Sequence, residues 1–213
     1  KVRRIVPCEL SDYIEYREAS TDFLGWLKKN MAHKVRSASR AESLARLGYL
    51  LRLTAKLKIR RVVEWANEFL EETDEKLILF AIHKQAIDVL SRRIPTKSVV
   101  VDGSVTGRLR QVAVEQFQKD PNTRLFIGNI QAAGIGITLT AASEVGIVEI
   151  PWRPGDVVQA EDRPHRIGQE KTVFVNYLIA GGTIEEDLCE LLQRKQAVIS
   201  SVLDGGPVPS DLN

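Results

Sequence analysis

From Lys76 onward, apolar residues arrive in short unbroken runs: LILFAI, SVVVDG, RLFIGN, EVGIVEI and VFVNYLI, each bounded by charged residues, Gly or Pro. Runs of this length, rich in β-branched and aromatic residues, read as strands. Because they are continuous rather than alternating, they predict strands buried on both faces. Stretches with helical spacing lie between them: HKQAIDVLSRR, GRLRQVAVEQFQKD and PGDVVQAEDR. Strand–helix alternation implies parallel crossovers, so the pattern predicts an α/β fold, an open and mainly parallel sheet with helices on both faces. A last helix is predicted from Thr183, where Thr-Ile-Glu-Glu has the form of a capping box.

Residues 1 to about 73 keep a different rhythm. Tyr13, Tyr16, Phe23, Leu24 and Leu27 recur at three- and four-residue spacings, as do Leu44, Leu47, Leu51, Val62, Trp65 and Phe69. Both stretches are expected to be helical, with the basic NMAHKVRSASR between them as a loop. The second is too long for one ordinary globular helix and is expected to break near Thr54 to Lys58. The chain thus divides into a helical segment over 1–73, an α/β lobe over 74–203 and a tail over 204–213.

Composition narrows the class. A 44% hydrophobic, 27% charged chain of 213 residues suits a globular protein in water. Cys8 and Cys189 form no CxxC and suit a reducing, intracellular compartment: cytoplasm in a prokaryotic or viral host cell, nucleus in a eukaryote. His33, His83 and His165 are scattered, so no metal centre is expected. No apolar stretch is long enough to span a bilayer, so no membrane partner is expected. Net charge is only +2, yet Lys28 to Arg61 holds eleven Lys or Arg against one acid, Glu42. Such a block, with Lys34, Arg36 and Arg40 near its middle, is either an electrostatic footprint for nucleic acid or a solvated surface.

The chemistry should sit beyond the strand ends, where open parallel sheets bind ligands. Three segments fall there: VDGS, GNIQAAGIGITLT and PWRPGDVVQAEDRPHR. In QAEDRPHRIGQ, Arg163 and Arg166 are three apart, which on one helical face aims both guanidiniums at one partner. That partner is a carboxylate cluster of the fold itself or the phosphates of a ligand. Pro164 between them argues for a helix that kinks or ends near Arg163. Gly134 and Gly136 allow a tight turn that brings backbone close to a ligand. The phosphate-cradling GxxxxGK[ST] occurs nowhere in the chain. A nucleotide reached by these arginines must therefore be held mainly by something else.

QAEDRPHRIGQ resembles motif VI of the sucrose-non-fermenting (Swi/Snf-type) branch of superfamily-two helicase-like ATPases. LILFAIHK is similar to that family's motif IV, VVVDGSVTGRLRQVAVEQFQ to its Asp-Gly segment, and the stretch from NIQAAGIGITLT through the Trp-x-Pro to GQ to its motifs V and VI. KVRRIVPCEL resembles the linker between two RecA-like lobes, and residues 9–73 the helical protrusion before motif IV. The resemblance implies a RecA-like second motor lobe of an ATP-dependent translocase on double-stranded DNA, working against an N-terminal RecA-like lobe that holds most of the ATP and Mg. It implies Arg166 as arginine finger with Arg163 beside it, Gln159, Gly134 and Gly136 at the nucleotide cleft, and Asp102, Gly103 and Ser104 on the DNA backbone. Thr138, where remodellers usually carry Asn, and the Gln-Ala-Glu-Asp-Arg string look closer to the annealing-helicase branch. A strand-separating helicase lobe and a non-catalytic α/β module that binds nucleic acid remain the alternatives.

Overall fold

The computed structural model describes residues 1–22, 42–131 and 136–203. Six strands, β1 (Val2–Pro7), β2 (Leu77–Ala81), β3 (Ser98–Val101), β4 (Leu125–Asn129), β5 (Glu144–Ile147) and β6 (Phe174–Ile179), form one open sheet in the order β1-β6-β5-β2-β4-β3. Every pairing is parallel. Among the described residues there are six helices: α1 (Tyr13–Thr21), α2 (Glu42–Glu72), α3 (Lys84–Arg93), α4 (Gly107–Lys119), α5 (Pro154–Glu161) and α6 (Ile184–Leu203). This is the open, parallel α/β architecture expected from the hydrophobic pattern.

Alternation along the strands supplies two cores. Ile78 and Phe80 of β2 and Phe126 of β4 pack with Val114 and Phe117 of α4. Leu77, Leu79, Leu125 and Ile127 face the other way, onto Val62, Ala66 and Leu70 of α2 and Ile87 and Leu90 of α3. Phe117 meets Phe126 edge-on at 5.5 Å between ring centroids, a favoured aromatic geometry. On the α2 side the approach is close: a Cβ on Gly146 would lie 2.7 Å from Leu79 and 3.0 Å from Trp65. Any side chain there would force Leu79 and Trp65 to shift.

Two sequence expectations change. Val2–Pro7 is the edge strand β1, paired to β6, and not part of a helical segment. The stretch over Glu42–Glu72 is one helix of 31 residues with no break at Thr54–Lys58. Its buried polar residues have partners instead. The Thr54 hydroxyl donates to Leu50 O at 2.8 Å, and the Lys58 ammonium reaches Leu178 O and both Glu185 oxygens at 2.5–2.7 Å. The helix ends where Arg124 donates to the carbonyls of Leu70, Thr73 and Glu75, groups that have no partner within the helix. The capping box of α6 is modified: Glu186 accepts from Gly182 N rather than Thr183 N, while Glu185 goes to Lys58.

Candidate functional site

The carboxyl ends of β2, β4 and β5 are tied together by side chains. Glu149, just past β5 and buried, accepts from the backbone N–H of Ile82 (2.7 Å) and His83 (2.8 Å) and bonds His83 Nδ1 at 2.5 Å. Burial pushes its carboxyl up, but the His83 bond and charge with the two N–H donors outweigh that and hold it below the ordinary value. Asn129 at the end of β4 donates to Ile82 O at 2.7 Å and accepts from Gln131 N at 3.0 Å. Past β3, Asp102 accepts from the Ser104 N–H (2.9 Å) and hydroxyl (2.5 Å), a side-chain turn that leads into α4 and lowers the Asp102 pKa. Gly103 and Ser104 remain exposed on that turn, and Lys84 stands 3.8 Å from Asp102.

The arginine segment begins with α5. Pro154 occupies its first turn and Asp156 adds a favourable charge at the positive end of the dipole. The helix stops at Glu161, because Pro164 brings no N–H and cannot extend it. Arg163 and Arg166 therefore do not share a helical face, which corrects the side-by-side arrangement expected from their spacing. Arg163 is 6% exposed, donates to Ile137 O at 3.3 Å, and accepts on its own carbonyl from Leu139 N at 3.0 Å. Burial and then the nearby Arg166 charge lower its pKa, against Asp162. Arg166 is exposed and reaches the Thr138 hydroxyl at 3.4 Å.

Both arginines thus converge on Ile137–Thr138, the strand-end segment that follows Gly136. That glycine has φ +73°, which a side chain resists. Gln169 stitches the two segments together. Its amide donates to Thr140 O (3.1 Å), Ala142 O (2.8 Å) and Pro164 O (3.3 Å), and its oxygen accepts from Lys171 N (3.0 Å). Gln159 lies exposed on α5, one turn before the arginine segment, and Trp152 is 44% exposed just ahead of it. Gly134, Lys34, Arg36 and Arg40 lie outside the described residues.

Sequence reasoning missed Gln169, the His83–Glu149 pair and the partners of Glu161. Glu161 closes α5 with a buried carboxylate that receives Arg3 (2.6 and 2.7 Å), the Tyr177 hydroxyl (2.6 Å) and Lys1 (3.0 Å). The one signal was the marked Glu-Asp-Arg string itself. Part of the basic block also finds acids within the fold: Lys56 pairs with Glu15, Lys58 with Glu185, Arg60 with Glu64 and Arg61 with Glu68. Among the described residues no group of three or more His, Cys, Asp or Glu is placed to hold a metal ion. No helix among them is long and apolar enough to cross a membrane.

Residues 58–168 match the family described as helicase conserved C-terminal domain. The chain is similar to the human DNA annealing helicase and endonuclease ZRANB3, 36% identical over 208 residues that cover 96% of this chain and 19% of that protein. It is 38% identical over 149 residues to the SWI/SNF-related matrix-associated actin-dependent regulator of chromatin subfamily A-like protein 1 of Xenopus tropicalis, covering 68% of this chain and 16% of that protein. The chain therefore spans about a fifth of the length of these curated relatives. In fold it is like the C-terminal part of the Fun30 ATPase domain, with a TM-score of 0.66 at 21% identity, over 90% of this chain and 88% of that chain.

Proposed function

The chain belongs to the helicase conserved C-terminal domain family, and from that premise we propose that it is the second motor lobe of an ATP-dependent translocase on double-stranded DNA, in the annealing-helicase branch. The observation that carries this reading is the exposed Arg166, steadied by Thr138 and set above the buried Arg163 at the carboxyl edge of the sheet. An exposed guanidinium on a braced turn is free to meet a phosphate across a cleft. There it stabilises charge spreading over the transferring phosphoryl oxygens, an effect of about 10³ to 10⁵ in rate.

ATP and Mg are assigned mainly to an N-terminal RecA-like lobe of the same protein. The described residues offer no acid cluster for the ion, and the sequence has no phosphate loop. Gln159, Gly134 and Gly136 are assigned to this lobe's side of the nucleotide cleft. Asp102 shapes the turn that presents Gly103 and Ser104 to the DNA backbone, and Lys34, Arg36 and Arg40 add phosphate contacts. Such contacts carry no sequence information, which suits a motor that tracks any sequence.

The test is Arg166→Ala in the full-length protein with saturating duplex DNA. Turnover should fall by about 10³-fold or more, roughly 4 kcal/mol of barrier. The thermal midpoint should stay within a degree or two, because the side chain is exposed. Retention of most of the turnover would overturn the finger assignment. ATPase stimulated by single strands and not by duplex would favour a strand-separating helicase.

A further inference from the structure

We propose that Glu161 is a positioning residue for the arginine segment, locking its place against the sheet through Arg3 and Tyr177. The inference rests on the role given to Arg166 above. Helix α5 has only 8 residues, too few for helical propensity alone to fix where its last turn lies. What fixes that turn is a pair of anchors. Ala160 is buried in the core on one side, and Glu161 is buried against β1 and β6 on the other.

The Glu161 anchor is directional. Arg3 donates through both Nε and Nη2, to one carboxylate oxygen each, a fork that fixes the carboxylate plane as well as its distance. Tyr177 adds a third donor, from the strand beside β1: Ile5 of β1 is in register with Tyr177 of β6. Lys1 then bridges Glu161 and Asp162 at 3.0 and 2.8 Å. Asp162 is followed at once by Arg163, whose carbonyl and guanidinium engage the segment that also receives Arg166. Three donors from β1 and β6, with Lys1 just ahead of β1, join the edge of the sheet to the segment that carries the finger.

The experiment uses the full-length protein, with turnover normalised to the folded fraction measured by circular dichroism. Glu161→Gln keeps the shape but removes the charge that draws both Arg3 donors. We expect kcat to fall about tenfold, with the KM for ATP and the affinity for duplex DNA each changed less than twofold. Arg3→Lys keeps the charge without the fork, and a loss of about threefold in kcat is expected. If Glu161→Gln does not fold, the Arg3→Lys result decides alone. A merely structural role predicts a lower thermal midpoint with unchanged kcat per folded molecule, and that outcome sinks the proposal. Arg166→Ala, run alongside, separates the two failures. If it collapses turnover while Glu161→Gln and Arg3→Lys do not, only the positioning role is wrong. If it keeps turnover, the finger reading falls and the positioning role with it.

Discussion

Glu185 and Glu161 are both buried carboxylates clasped by a base from far along the chain, 127 and 158 residues away. Their surroundings differ. Around Glu185 everything is sealed, with Lys58 and Glu185 side chains 0% and 1% exposed. Burial pushes the Glu185 carboxyl up against the pull of Lys58. Around Glu161 half of Arg3 remains in water. There burial is outweighed by the Arg3, Tyr177 and Lys1 donors, and the carboxyl is held below its ordinary value. The same chemistry therefore does two jobs. The sealed pair fastens the long helix α2 to the start of α6, while the half-open pair holds a segment whose neighbour faces solvent.

Breaking the sealed pair should have the largest effect on stability. Lys58→Met leaves Glu185 buried without its cation and should cost about 3–5 kcal/mol, read as a lower urea midpoint. Adding Glu185→Leu should recover most of that loss, because a well-packed apolar pair is often neutral or better. If the double variant is no better than the single, the pair contributes more than burial bookkeeping allows. Glu161→Gln should cost less, about 1.5–3 kcal/mol, the range for hydrogen bonds to charged groups. Equal losses at the two sites would erase the comparison.

A pH series sharpens it further. A carboxylate held below its unfolded value, about 4.3 for Glu, stabilises the fold fully above that pH and loses the contribution as pH falls through the lower folded value. Glu161 and Glu149 both fall in this class. The urea midpoint should therefore drop as pH is lowered below about 4.3, and the drop should be shallower in Glu161→Gln than in the parent. A parallel decline in both proteins would mean that Glu161 titrates alike folded and unfolded. The smallest effect is expected far from either pair. Asp12→Ala removes the 2.8 Å cap on Glu15 N at the start of α1, for about 1 kcal/mol and no change in turnover.

The five inner and far strands were legible because LILFAI, SVVVDG, RLFIGN, EVGIVEI and VFVNYLI are largely apolar runs; β2, β4, β5 and β6 are mostly buried on both faces, while β3, at the far edge, alternates buried and half-buried residues. β1 was not, since VRRIVP carries two arginines and lies almost wholly exposed at an edge. The unbroken course of α2 was hidden for a related reason. Thr54 and Lys58 look like interruptions until Leu178 and Glu185 are seen beside Lys58. At the candidate site, the sequence marked the arginines and the Pro164 stop. It could not show that Arg163 lies under Ile137, which is 26 residues away. Gln169 read as the end of a motif because its three carbonyl partners are brought to it only by the fold.

The pairing of β1 with β6 alone has a consequence in time. Arg3 leaves the ribosome 158 residues before Glu161. At about 5–20 residues per second that interval is on the order of 10–30 s. Throughout it β2 to β5 and α2 to α4 can gather, but β1, made before the other strands of its sheet, has no neighbour to join. A bare strand is a template for pairing with the wrong chain, and charged side chains on it discourage that. Arg3 and Arg4 are thus useful before they have partners: first as a guard during synthesis, then as the fork on Glu161 and the cation over Phe174 at 3.7 Å once the sheet closes.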